Sequence, residues 1–268
     1  DAIAHVIRCF DDDNIVHVHN QVNPVYDKEV IDTELQFKDL ESVDRKIGKV
    51  ERTAKSGDAK AKKELTSLLK FKQALQEGKN ARSVEADEED LKAVYDLQLL
   101  TIKPVIYVAN VDEANALNGN KHVEALRALV KNEGAQVIIV CAAIESQIAE
   151  LESLDDRKAF LAEYGLKESG LEKLIQATYT LLDLITYFTA GEVEVRAWTI
   201  KKGATAPEAA GAIHTDFEKG FIAAQIIDYT DLVALGSEAA ARAAGKIRTE
   251  GKTYIMQPND VVEFRFNN

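Results

Sequence analysis

Three short apolar runs, each followed by a polar loop, constrain this 268-residue chain more than any other feature. Ile3 to Phe10, Lys103 to Ala109 and Gln136 to Val140 are largely apolar on both faces, the character of strands covered on two sides in a parallel sheet. An amphipathic helix over about His122 to Asn132 separates the second run from the third. Strand, helix, strand is the βαβ unit of a doubly wound α/β sheet. Ligands of such sheets sit beyond the carboxyl ends of the strands, which directs attention to Asn110–Glu113 and Cys141–Glu145.

Between the first and second runs the period changes to helical. From about Val30, the residues Leu40, Val43, Ile47, Val50 and Ala54 follow the 3-4 spacing of a coiled-coil seam. The pattern stops at Ser56-Gly57-Asp58, where Gly57 suits a left-handed cap and Asp58 can cap a returning helix. That helix carries Leu65, Leu68, Leu69 and Leu75 and ends near Gly78; a shorter one spans about Asp87 to Leu100. The expected object is a long helical hairpin projecting from an α/β body.

The chain holds 33 basic and 45 acidic residues, a net of −12, which as an average opposes polyanion binding. The average conceals an island. From Asp44 to Arg82 there are twelve Lys or Arg against five acids, so this hairpin segment carries +7 and the rest carries −19. Lys49, Arg52, Lys55, Lys60, Lys62 and Lys63 form a candidate RNA- or ribosome-binding surface, although a solvated helical face is as common a use of such a run.

Beyond helices expected at Ile144–Tyr164 and Leu171–Phe188, the texture changes at Gly191. Glu192 to Ile200 alternates as a half-exposed strand, Pro207 sits in a helix's first turn, and Phe221–Tyr229 reads as a strand. Tyr254–Gln257 and Val261–Phe266 read as a hairpin. This is a small α+β module.

Other classes are excluded. No run reaches the ~20 apolar residues of a membrane span, and no signal-peptide layout opens the chain. Cys9 and Cys141 are too few and too separated for a disulfide framework, and a cytoplasmic protein is expected. No GxSxG elbow is present, and the five histidines lack metal-ligand spacing, so no metal residue is assigned. Gly245 to Thr253 imitates GxxxxGKT with one residue too many between its glycines. It also follows an Ala-rich helix, where a phosphate loop needs a strand before it and a helix after.

The phrases DAIAHVIRCF, DNIVHVHNQVNP, IDTELQFKDLESVDRKIGKVERTAKSGD, ANVDE, VCAAIE and TYFTAGEVEVRAWTIKKGATAPEAAGAIHTDFEKGFIAAQI, with the closing GKTYIMQPNDVVEFRFNN, together resemble the YchF family, the Obg-like ribosome-binding ATPases. The resemblance implies a P-loop G domain in two parts (1–32 and 101–190), an inserted coiled-coil hairpin (33–100) and a TGS domain of β-grasp type (191–268). It also implies a nucleotide-base loop N-x-x-E, matched by Asn110, Val111 and Glu113, and a second base loop at Cys141, Ala142 and Ala143 acting mainly through backbone. His17 matches a histidine proposed to replace the water-positioning glutamine of Ras-like enzymes.

The resemblance further implies ATP, in preference to GTP, hydrolysed with Mg²⁺ in the full-length form; partners would be the ribosome or ribosomal RNA, with no DNA sequence specificity. The family's GxxNVGKS and DxxG loops are expected ahead of Asp1. The chain is accordingly expected to be amino-terminally truncated and not to hydrolyse nucleotide alone. A non-catalytic ribosome- or RNA-binding module is the alternative.

Overall fold

The computed structural model describes residues 1–12, 14–15, 21–191 and 194–267. The chain forms two compact units, Asp1–Thr178 and Tyr179–Asn268.

The first unit is built on β1 (Ile3–Arg8), β2 (Val105–Asn110) and β3 (Gln136–Val140), all parallel, in the order β1-β2-β3. Residue 3 pairs with 105 and residue 106 with 136, so the three strands end level with one another. Their buried side chains, among them Ile7, Cys9, Tyr107 and Ala109, join Val123, Leu126 and Ile144 in one core.

Helix α1 (Pro24–Lys55) is longer than the periodicity predicts. Asn23 accepts the Tyr26 N–H, and Pro24 occupies the first turn, where a missing N–H costs nothing. The early turns of α1 touch β1 and α4 (Lys121–Val130), so the expected boundary at 32/33 falls inside one continuous helix. Its 32 residues span about 48 Å. Gly57 turns the chain with φ +102°, and Asp58 accepts the Ala61 N–H at 2.7 Å to start α2 (Ala59–Gln76).

The hairpin and α3 (Glu88–Val94) share a core of Val43, Leu68, Phe71, Leu75, Val94 and Leu99. At its neck the buried carboxylate of Asp39 accepts from Leu100 N–H, Thr101 N–H and the Thr101 hydroxyl, at 2.8, 2.7 and 2.7 Å. The helix expected over 144–164 is instead α5 (Ala142–Glu150) and α6 (Leu154–Glu163). Leu151 leaves the helical region, and Ser153 caps α6 by accepting the Asp156 N–H.

The helix expected over 171–188 also ends early. After α7 (Gly170–Leu181), Asp183 adopts φ +49°, and the β-branched and aromatic run that follows is β4 (Leu184–Ala190). β4 pairs with β5 (Val195–Lys201), so a boundary at 190/191 would divide two hydrogen-bonded strands.

The second unit continues through α8 (Ala206–Ile213), α9 (Thr215–Lys219), β6 (Phe221–Asp228), α10 (Tyr229–Leu235), α11 (Glu238–Ala243), β7 (Arg248–Glu250) and β8 (Asp260–Phe266). Its sheet runs β5-β4-β8-β6-β7. Ile185, Tyr187, Ile200, Ala224, Ile226 and Val262 pack with Ala206, Ala209 and Ala210 at the α8 end of the core. The expected hairpin of 254–257 with 261–266 does not form: β8 pairs with β6 and, in parallel, with β4, while Ile255 bridges Thr205. Residues 245–253 contain β7, and β7 separates the two glycines of the false phosphate-loop pattern. No helix among the described residues is long and apolar enough to cross a membrane.

Candidate functional site

Two loops leave the carboxyl ends of adjacent strands and are drawn together by one side chain. Asn110, the last residue of β2, accepts the Ala142 N–H on Oδ1 at 3.1 Å. Its backbone carbonyl accepts the Cys9 N–H at 2.7 Å, and the next residue, Val111, donates its N–H to the Val140 carbonyl at 2.9 Å. The ends of all three strands are thereby laced into one rim. Val111 is buried, which fixes the loop while leaving its neighbours outside.

Asp112 accepts both the backbone N–H and the side-chain amide of Asn115, at 3.0 and 2.7 Å, and so starts a 3-10 turn over Glu113–Asn115. That turn presents Glu113 at the surface. One of its oxygens accepts from Gln147 Nε2 on α5 at 3.2 Å. Cys141 is the buried N-cap residue of α5, and Ala142 and Ala143 in the first turn are exposed. Burial pushes the Cys141 thiol up, with the nearby Glu113 and Asp112 charges adding to it against the amides of Ile144 and Ala143. A neutral thiol inside the rim is a packing group, not a nucleophile. Burial likewise pushes the Cys9 thiol up to about 12.

Glu145, on the same first turn of α5, accepts the Gly170 and Leu171 N–H groups at 2.6 and 3.2 Å and so caps α7. A Cβ at position 170 would lie 2.8 Å from Val140 Cγ1, so only glycine permits this approach. The six residues expected at the base loops are thus brought together at one place, with the Asn110 carboxamide and the exposed Glu113 carboxylate beside the exposed first turn of α5. Such a set can bind a planar heterocycle by its edge. Gln147 was missed in the sequence, because nothing in its spacing from Glu113 marks it.

His17 lies outside the described residues, as does His19. The stem leading toward them is held firmly. Arg8 donates Nε to the Phe10 carbonyl, Nη2 to that of Asp12 and Nη1 to that of Ile15, at 3.1, 3.1 and 3.0 Å. On the other side, Asp11 meets His122 at 3.2 Å, and Asn120 donates to the Cys9 carbonyl at 2.7 Å. Among the described residues no group of three or more His, Cys, Asp or Glu side chains is placed to hold a metal.

The basic island is partly neutralised by carboxylates of the hairpin and of the α3 segment that packs on it. Lys46 reaches both Glu64 and Asp96, Lys70 reaches Asp90, and Lys72 reaches Asp44, at 3.0, 2.6, 2.6 and 2.7 Å respectively. Of the six expected contact residues, Lys55 pairs with Glu51 and Lys63 with Glu89. Lys49, Arg52, Lys60 and Lys62 are exposed and make no ion pair among the described residues. All four flank the Ser56–Asp58 turn.

Comparison with known proteins adds four findings. Residues 184–267 match the family model YchF-GTPase_C, described as a protein of unknown function (DUF933). The chain is 53% identical over its whole length to the ribosome-binding ATPase YchF of Bacillus subtilis, covering 73% of that protein. It is 41% identical to the Obg-like ATPase 1 of Caenorhabditis elegans, covering 68%. The solved structure of the Schizosaccharomyces pombe YchF GTPase superposes with a TM-score of 0.83 at 36% identity, over 99% of this chain and 72% of that one.

Proposed function

The chain belongs to the YchF family of ribosome-binding ATPases, and from that premise we propose that it serves a ribosome-associated nucleoside triphosphatase with a preference for ATP over GTP. Asn110, Val111 and Glu113, with Cys141, Ala142 and Ala143, receive the purine base. The hydrogen bond from Ala142 N–H to Asn110 Oδ1 supports this reading above all, because it turns two separate loops into one preformed edge-binding surface. Asn110 then offers its amide donors and Glu113 a carboxylate acceptor.

In this reading His17 orients or deprotonates the attacking water, as a near-neutral imidazole can. Mg²⁺, bound with the triphosphate, would supply charge neutralisation there. No GxxxxGK[ST] run occurs in the 268 residues, and no group of three or more His, Cys, Asp or Glu side chains is placed to hold a metal among the described ones. The second unit is proposed to be the TGS domain, and the setting is proposed to be cytoplasmic.

The ribosome-facing surface is the hairpin end carrying Lys49, Arg52, Lys60 and Lys62, assisted by Lys55 and Lys63. That Lys49, Arg52, Lys60 and Lys62 have no ion-pair partner among the described residues supports an RNA-facing surface, which the alternative of a non-catalytic ribosome- or RNA-binding module also uses. Cosedimentation with ribosomes tests the surface. Binding is expected to fall as salt rises and to collapse in Lys60→Glu/Lys62→Glu/Lys63→Glu; binding indifferent to both would remove the hairpin from the interface. Phosphate release by the unaltered chain with ATP and Mg²⁺ is expected to be absent under both readings, since neither gives this chain a phosphate loop; turnover would exclude the non-catalytic module and overturn that expectation.

A further inference from the structure

The orientation of Glu113 carries information beyond its presence. A free carboxylate offers two oxygens side by side and can accept from two adjacent donors. Guanine presents such a pair, N1–H and N2–H₂, on one edge, with the O6 acceptor beside them. Adenine presents a single amino donor, N6–H₂, on the corresponding edge, with the N1 acceptor beside it.

Here one Glu113 oxygen already accepts from Gln147 Nε2 at 3.2 Å, which turns it toward α5 and leaves the other to meet a base. The second guanine requirement is also compromised. The Ala142 N–H, at the start of α5, is committed to Asn110 Oδ1 and is not available to O6. A carboxylate turned so that one oxygen faces the base suits adenine's single donor, with an Asn110 amide N–H left for its ring acceptor, whereas guanine's second donor and O6 are left unpaired, which is the costly kind of mismatch.

We propose that Gln147 is a positioning residue that sets the purine preference of this site, by holding Glu113 so that it presents one acceptor to an adenine amino group instead of two to guanine. The proposal rests on the base-site reading above and adds the residue that tunes it. Gln147 is exposed on α5, and alanine is a good helix former, so its replacement leaves the fold intact.

The test titrates adenosine and guanosine, as nucleosides, into the 268-residue chain and follows the backbone amide resonances of Val111, Ala142 and Ala143. These probes report the base site without any contribution from phosphate or metal. The unaltered chain is expected to bind adenosine more tightly, and Gln147→Ala to reduce the adenosine-to-guanosine affinity ratio about fivefold. Gln147→Glu, which sets two carboxylates against each other, is expected to reduce it as well. A ratio unchanged in Gln147→Ala, with both nucleosides still shifting the three amides, overturns the role of Gln147 and spares the base site. An equal loss of affinity for both nucleosides does the same, since it marks a uniform packing effect. If neither nucleoside shifts these amides, the base-site reading fails and the proposal with it.

Discussion

The ammonium of Lys28, near the start of α1, lies 2.5 Å from a carboxylate oxygen of Glu133, in the 3-10 turn that closes α4. Lys28 also meets Asp32 at 2.7 Å, and the second Glu133 oxygen accepts the Tyr107 hydroxyl at 2.7 Å. Arg82, at the hairpin's return, stands 3.5 Å from the same carboxylate. The network therefore joins the base of the hairpin to the middle strand of the sheet. The Lys28 side chain is 8% exposed and that of Glu133 25%, so solvent screens the pair weakly.

Removing Lys28 alone takes the ammonium from Asp32 and leaves Glu133 with only the Tyr107 hydroxyl and the more distant Arg82. Lys28→Ala is expected to destabilise the first unit by about 3 kcal/mol in denaturant unfolding, and Lys28→Met/Glu133→Gln to recover much of that. Burial pushes the Glu133 carboxyl up, but the hydrogen bonds from Lys28 and Tyr107 outweigh it and hold the group low. Its contribution is thus present above the ordinary glutamate range of about 4.3 and lost as pH falls through the lowered value. A double variant no more stable than the single one would show that the pair is not the unit that matters.

Asn110→Ala leaves the Ala142 N–H without its acceptor. Hydrogen exchange at that amide is expected to quicken about fivefold, as the loss of a hydrogen bond of about 1 kcal/mol implies. Exchange at Ile138, inside β3, should stay as it was. Unchanged exchange at Ala142 would mean that the two loops hold their positions without the asparagine.

His5 lies on β1 with its ring 5.7 Å from that of Tyr107. Burial lowers its pKa, opposed by the Asp32 and Asp27 charges and reinforced by Lys28 and Arg82. The unfolded chain therefore binds a proton at His5 more readily than the folded one, and stability falls as pH drops through the ordinary histidine range near 6.5. His5→Gln is expected to flatten the stability profile between about pH 7 and pH 5. A profile with the same slope as the unaltered chain would assign that acid sensitivity to other groups.

Much of the architecture was written locally. Continuous apolar runs place β1, β2 and β3 within a residue or two, but only β2 is buried along its length: in β1, expected to be covered on both faces, Ala4 and Val6 are exposed, Val6 at 64%. Gly57 and Asp58 mark the hairpin turn through their own backbone and capping chemistry. The loops at Asn110 and Cys141 could be named in advance, since strand ends define where a doubly wound sheet holds its ligand. The 171–188 stretch misled because its helical period runs into Leu-Ile-Thr-Tyr-Phe-Thr, and Asp183 makes the break with a left-handed conformation that no common signal marks.

What the sequence determined by itself, then, is the set of elements and the loops that end them, because periodicity, caps and turn residues act over a few positions. The tertiary structure alone decided which side chains meet: Gln147 with Glu113, Lys28 with Glu133, β8 between β4 and β6, and which lysines of the basic island remain unpaired. Those outcomes depend on contacts between groups 34 or 105 residues apart. Hydrogen bonds and ion pairs reach only a few ångströms, so the packing of whole elements must fix such distances before the partners are defined.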